Sequence, residues 1–494
     1  MFAFSLCSLL WCTSLLVAAT PKHDLGKRTS IALKTRDWNS LSDEEKKGWF
    51  LRQKINAENK YNTTPRKGKR AKTGTIQLVD LSIDAAYVGA IQVGTPSQAF
   101  NVLLDTGSTD LWLASQNCSI GCSTVTNRYD PTKSSSYKDT SSPLHIRYGS
   151  GAVSGTIGTE TVSFGGFTVT QQPFGVIDQI TSGIINEGGD FTGLMGLAWP
   201  RLAQTRADPA WLASVKAKDW TQPLFAFFLK RYSDQPTPLK NEPNGGSMDI
   251  GFTDSSKYTG NISYIPLTSE SYWAISIGGV TVNGQKSLIT GTAAIDTGTS
   301  LIGGPSDQVS EFYSHIPSAQ ALTGENQGFW VYPCTTKVEV SFSFGGVEYK
   351  IDPRDFSRTL ESTGEQCLGS IFELGLGANP IINWVVGDSF MKNVYSVFRQ
   401  DPPAVGFAVA NQNNNGGNPT TGQPITTGSA TGSTTGSTTG TRTPAGTQTR
   451  TRSTALSTTL RSGGGSVSRY SINDGLVSIV GAMMAVIIGV MIAL

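Results

Sequence analysis

Histidine is nearly missing from this chain, with three in 494 residues. Only His145 and His315 lie outside the basic N-terminal stretch, and no His-Glu-x-x-His pattern occurs. Serine- and metallo-hydrolase chemistries therefore lack their material. Cysteine is sparse too, at six, and neither histidine stands near a cysteine pair. Zinc is a poor account of the cysteines, and no metal or cofactor is expected. The longest apolar runs lie at the two ends, and the body between them is built from short ones.

What the sequence does hold is a repeated acid. The apolar run Val102-Leu103-Leu104 ends in Asp105-Thr106-Gly107-Ser108-Thr109. A single Asp at the end of an apolar strand reads as a turn residue or cap. Yet 191 residues on, from 105 to 296, Ala293-Ala294-Ile295 runs into Asp296-Thr297-Gly298-Thr299-Ser300. Each copy also has an apolar-apolar-Gly echo: Gly196 follows Asp105 by 91 residues, and Gly387 follows Asp296 by the same interval. Matching offsets imply two lobes on one plan, each offering one carboxylate at a shared seam.

From 74 to 410, short runs of β-branched and aromatic residues alternate with Gly, Asn, Asp, Ser and Pro, which indicates an all-β body. Helices are expected only near 209–215 and 307–313. Residues 144–155 read as a hairpin with Tyr148 near a Gly149-Ser150-Gly151 tip, its glycines permitting positive φ at the turn and its tyrosine able to close over a groove.

Residues 1–19 form an apolar stretch ending in Val17-Ala18-Ala19, which reads as a signal peptide, although Met1 to Ser5 carry no positive charge. Its removal takes Cys7 and Cys12 away. The four cysteines left, Cys118, Cys122, Cys334 and Cys367, form an even set in a secreted chain, so disulfides are expected. Three pairings are possible; two lobes with two cysteines each favour Cys118 with Cys122 and Cys334 with Cys367, the longer loop stabilising by about 3 kcal/mol.

Charge is divided unevenly. Residues 20–70 hold 14 Lys and Arg against 6 Asp and Glu, while 71–410 hold 20 against 30. The opposite nets point to a detachable basic cover on an acidic body rather than to a nucleic-acid arm. Ser42 and Glu45 have capping-box spacing at a helix start. The cover ends at Lys69-Arg70, a dibasic pair of the kind secretory convertases cut, as is Lys27-Arg28; Ala71 is then the mature N-terminus.

Together these residues resemble the pepsin-like aspartic proteases over about Gln77 to Ala410. The resemblance rests on two Asp-Thr-Gly-Ser/Thr elements, two apolar-apolar-Gly elements, the Tyr-Gly-x-Gly hairpin and Trp112 at its expected distance from the first acid. It implies a bilobal all-β fold, two related six-stranded-barrel-like lobes with the active-site cleft between them. It also implies that Asp105 and Asp296 are a catalytic dyad. Ser108 and Thr299 would bond the carboxylates from outside, and the amides of Gly107 and Gly298 would approach them. Tyr148 would be the flap tyrosine, bonded to Trp112, with Gly149 and Ser150 at the flap tip. Some relatives that cleave after Lys carry an acid where this chain has Ser150, so cleavage between bulky apolar residues is expected, with other groove acids still able to select Lys or Arg.

Beyond Ala410 the chain turns Asn-, Gly-, Thr- and Ser-rich, as expected of an O-glycosylated stalk. Asn62, Asn117 and Asn261 head N-glycosylation sequons. Residues 476–494 are apolar and uncharged, with no Lys or Arg after them. Small residues at Ser462, Gly463, Gly464 and Gly465 fit the spacer of a glycosylphosphatidylinositol signal better than a retained tail helix.

The expected organisation is signal 1–19, propeptide 20–70, N-terminal lobe 71–265, C-terminal lobe 266–410, stalk 411–465 and anchor signal 466–494. The expected activity is that of a monomeric, surface-anchored aspartic endopeptidase, made as a zymogen, acting on proteins and peptides at acidic pH. Stalk, anchor and dibasic sites together resemble the fungal yapsin-like surface proteases. The competing readings are a catalytically inactive relative serving as a surface binding protein, and a stalked wall glycoprotein, which leaves the duplicated acids unexplained.

Overall fold

The computed structural model describes residues 73–412 apart from 182–183, 185–190, 234, 236, 361–364 and 377–379. The signal, basic cover, stalk and anchor expectations, with Asn62, Lys69, Arg70, Ser462, Gly463, Gly464 and Gly465, lie outside the described residues.

The body is all-β, as its alternating sequence requires. In Gly151–Phe164, Val153, Val162 and Phe164 are buried while their neighbours are wetter, the period-two signature of a half-buried strand. Thirteen strands make the largest sheet. It runs in space from Tyr258–Pro266 through Ala404–Ala410, Val394–Arg399, Leu224–Leu229, Asn241–Ile250, Gly74–Leu81, Ala86–Val93, Gln98–Asp105, Gly193–Gly196, Leu111–Ala114, Phe167–Ile180 and Gly151–Phe164 to Lys138–Tyr148. The last two of the described strands thus lie beside strands from the middle of the chain. A six-stranded sheet and two four-stranded sheets complete the second half.

The internal repeat is structural. Gln98–Asp105 pairs in parallel with Gly193–Gly196, placing Asp105 opposite Gly196, and Gly193–Gly196 pairs antiparallel with Leu111–Ala114. In the second half Gly291–Ile295 pairs in parallel with Trp384–Val386, which pairs antiparallel with Ile302–Gly304. The central strands are buried on both faces, hence their unbroken apolar character.

The echo glycines owe their identity to close approach. A Cβ on Gly196 would stand 2.2 Å from the carbonyl carbon of Thr109, and one on Gly387 would stand 1.9 Å from the Thr299 oxygen. Each glycine lets its strand clasp the acid-bearing loop. Leu197 N–H donates to the Asp105 carbonyl at 2.7 Å and Ala198 N–H to that of Ser108 at 2.8 Å. In the second half Asp388 and Ser389 donate to Thr299 and Ser300 at 2.8 and 2.9 Å.

Beneath these loops lies an aromatic core in which Trp199, Trp211, Trp273, Phe225 and Phe398 contact one another with ring centroids 5.1–5.6 Å apart. Helices form at Ala210–Lys216 and Ser306–Ser314, where expected, with further single turns at Pro353–Phe356 and Asp388–Met391. The disulfides join Cys118 to Cys122 and Cys334 to Cys367.

The expected hairpin forms, with Tyr148 paired to Gly151. Of its glycines only Gly151 takes a positive φ, 155°. Gly155 is needed instead for space, since a Cβ there would meet the Val176 carbonyl oxygen at 2.0 Å. The turn thus uses at Gly151 the positive φ that its glycines permit.

Candidate active site

The two acid loops meet across the repeat. Thr106 N–H donates to Thr297 Oγ1 at 3.0 Å and Thr297 N–H to Thr106 Oγ1 at 3.0 Å. Each hydroxyl donates onward to the opposite strand, Thr106 to the Ile295 carbonyl at 2.8 Å and Thr297 to that of Leu104 at 2.5 Å. This reciprocal lock holds Asp105 and Asp296 face to face, both fully out of contact with solvent.

Each carboxylate has a matching set of donors. Gly107 N–H reaches Asp105 Oδ1 at 2.8 Å and the Ser108 hydroxyl bonds Oδ2; Gly298 N–H reaches Asp296 Oδ1 at 2.8 Å and the Thr299 hydroxyl reaches Oδ2 at 2.7 Å. Burial raises both carboxyls above the ordinary range. The charge of Asp296 raises Asp105 further, while the Thr299 hydroxyl and Gly298 amide oppose the rise at Asp296. Two buried carboxyls in such contact hold one proton between them at acidic pH, because a second charge is not screened there.

Above them the hairpin brings Tyr148, whose hydroxyl accepts from Trp112 Nε1 at 2.8 Å. Tyr148 is 8% exposed, and burial drives its phenol well above the normal range, so it stays neutral. At the tip, Gly149 is exposed, and Ser150 Oγ is sealed from solvent without a partner among the described residues.

Residues 86–410 match the eukaryotic aspartyl protease family. The chain is 36% identical over 388 residues to Major aspartyl peptidase 1 of Cryptococcus neoformans, covering 76% of this chain and 79% of that protein. This chain belongs to the pepsin-like aspartic proteases. Pepsin A of Rhinolophus ferrumequinum is 33% identical over 341 residues, 67% of this chain and 83% of its own. Cathepsin D of Chionodraco hamatus is 35% identical over 338 residues, 66% and 82% of the two chains. The protein is an aspartic-type endopeptidase, and the family acts on proteins and peptides.

Several residues of this protease's site escape a reading of the sequence. Thr106 and Thr297 carry the lock just described. Tyr272 lies beside the dyad: burial raises its phenol, and the charges of Asp296 and Asp105 add to the rise. Asp388 is a third buried carboxyl in the neighbourhood, with Oδ1 unbonded among the described residues. Burial drives it well above the carboxylate range, Lys392 opposes the shift and the charge of Asp296 adds to it. A signal for Asp388 did exist, since the equivalent place in the first half, one residue after the echo glycine, is Leu197.

A buried ionic group ties the halves together behind the dyad. Lys392, 1% exposed, reaches Asp84 at 3.2 Å and Asp355 at 3.0 Å. Arg231 holds Asp355 with two nitrogens, one of them at 2.8 Å, and lies 3.6 Å from Asp352. Burial favours a neutral Asp84, yet Lys392 and Arg358 overcome it and hold that carboxyl well below the ordinary range. Its neighbour Asp80 is pushed up to about 9 by burial and then by the charge of Asp84.

Proposed function

We propose that this protease is a monomeric acid endopeptidase whose catalytic groups are Asp105 and Asp296, displayed at the outer surface of the secreting cell on a glycosylphosphatidylinositol-anchored stalk. The observation that carries the chemistry is the matched pair of carboxyls, each with an amide and a hydroxyl donor, held together by the Thr106–Thr297 lock. The ionised member takes a proton from a water held between the carboxyls. The protonated member donates toward the scissile carbonyl, and the resulting tetrahedral intermediate needs no covalent acyl-enzyme. An extended peptide lies in the cleft by strand-like hydrogen bonds under the hairpin. The sealed hydroxyl of Ser150 is a donor or acceptor for its backbone.

The proposal extends to processing and place. The basic segment 20–70 covers the acidic body in a zymogen and leaves after Arg70. The signal at 1–19, the stalk at 411–465 and an attachment residue among Ser462 to Gly465 support a surface protease of the yapsin-like kind. Ser150, lacking the charge that anchors Lys, supports cleavage between bulky apolar residues.

Asp105→Asn and Asp296→Asn test the chemistry. Each is expected to lower kcat/KM for a peptide library at acidic pH by about 10³-fold or more, the scale of general acid–base catalysis, while leaving the fold unchanged by circular dichroism. Normal turnover in either variant rejects the dyad.

A further inference from the structure

The two edges of the thirteen-stranded sheet are guarded differently. Lys138–Tyr148 carries Lys138, Asp139, His145 and Arg147, contains Pro143, and is bulged between Asp139 and Ser142. Charges, proline and bulges are the usual means by which an open edge avoids pairing with another chain. The opposite edge, Tyr258–Pro266, reads Tyr-Thr-Gly-Asn-Ile-Ser-Tyr-Ile-Pro, with a proline only at its last position and no charged side chain. Among the described residues it pairs on one side only, with Ala404–Ala410. Uncharged, β-prone and aromatic, it has the composition that promotes edge-to-edge association.

What interrupts this edge is the middle of the strand. Thr259 pairs with Val409 and Ser263 with Phe407, so Gly260, Asn261 and Ile262 together stand opposite Ala408. Gly260 takes φ +75° with open space around it, and Asn261 is exposed at the bulge. Tyr258 stacks on Tyr395 at 5.1 Å, and Tyr264 lies under the Arg399 guanidinium at 4.0 Å, so the aromatic residues on either side are held in place while the bulge faces water.

We propose that Asn261 carries an N-linked glycan whose role is to cap this uncharged sheet edge and keep the protease monomeric. The inference rests on the secretory reading above. In the secretory pathway the Asn261 amide nitrogen displaces the lipid pyrophosphate from a lipid-linked oligosaccharide. An N–C bond forms, the sugar C–O bond to the pyrophosphate breaks, and an amide proton is released. A hydrated glycan at the bulge stands where a second strand would dock, doing at this edge what Lys138, Asp139 and Arg147 do at the other.

The test expresses the full chain in a eukaryotic secretory host. Peptide mass spectrometry is expected to find Asn261 glycosylated in the secreted protein. Asn261→Gln and Ser263→Ala are expected to keep wild-type peptidase activity but to associate, raising the weight-average mass by about two-fold or more with concentration, as for a two-fold dimer. Ser263→Thr keeps the sequon and is expected to stay monomeric, as is Asn261→Lys, which guards the edge with charge instead. If the sequon variants fail to fold, trimming the folded wild-type glycan to one sugar with an endoglycosidase is expected to produce the same association. A secreted chain with bare Asn261, or a bare-edge protein that stays monomeric, overturns the inference and leaves the secretory reading intact. A chain retained in the cell with its signal uncut overturns both.

Discussion

Asp80→Asn should reverse its effect on stability between pH 4 and pH 7. Asp80 is fully buried; its Oδ1 accepts from Asp84 N–H at 2.8 Å, and its Oδ2 has no partner among the described residues. Its pKa is pushed from 3.8 to about 9. A carboxyl whose folded pKa is raised lends its full stability below the unfolded value and loses it as pH rises toward the folded one. The loss is about 1.4 kcal/mol per pH unit. Between pH 3.8 and pH 7 that amounts to roughly 4 kcal/mol, a large part of the total stability of about 5–15 kcal/mol of a typical protein. Asparagine keeps the acceptor for Asp84 N–H and cannot ionise, but it buries an amide whose donors cost about 1–3 kcal/mol if unpaired. The variant should therefore be equal to or weaker than wild type at pH 4 and stronger by about 1–3 kcal/mol at pH 7. Urea unfolding of both proteins at several pH values, compared at matched m, measures this. Because the other buried carboxyls are common to both proteins, the difference isolates Asp80. Two stability curves that run parallel from pH 4 to pH 7 would refute the argument.

Thr297→Val removes the acceptor of Thr106 N–H and the donor to Leu104; with a buried amide left unpaired, it should cost about 3 kcal/mol in urea unfolding and lower activity with it. Gly196→Ala forces a methyl against Thr109 and should destabilise by about 3 kcal/mol or more, whereas Gly375→Ala, with nothing within 4 Å, should change stability by less than about 0.5 kcal/mol. Equal midpoints for the two alanine variants would contradict the close-approach account. Tyr148→Phe strands Trp112 Nε1 and frees the hairpin, so kcat/KM should fall about 10-fold with the shape of the pH–rate profile unchanged; full activity would show that the bond does not position the hairpin.

The parts of the site legible in the sequence are those whose chemistry is local. Asp-Thr-Gly-Ser/Thr packs an acid, an amide at close range and a hydroxyl into four residues, and the bonds from Gly107, Ser108, Gly298 and Thr299 span two or three positions. Gly196 and Gly387 are legible because a strand can clasp each acid loop only where no Cβ intervenes. Tyr148 and Trp112 follow from the hairpin and the resemblance. The unread residues act across long separations. Lys392 meets Asp84 over 308 positions, Arg231 meets Asp355 over 124, and the Thr106–Thr297 lock spans 191. Nothing near Asp80 marks it as buried against Asp84, and nothing near Tyr272 places it beside the dyad.

By itself, then, the sequence determined the duplicated plan, the two acids and their immediate donors, because backbone geometry over a few residues dictates those residue types. Tertiary structure alone decided which carboxyls ionise. Asp84 and Asp80 stand four positions apart, yet one is held below the ordinary range and the other is pushed up to about 9. The difference comes from desolvation and from Lys392 and Arg358, and a charge is stripped of water, or brought to its partner, only when the distant strands have closed around it.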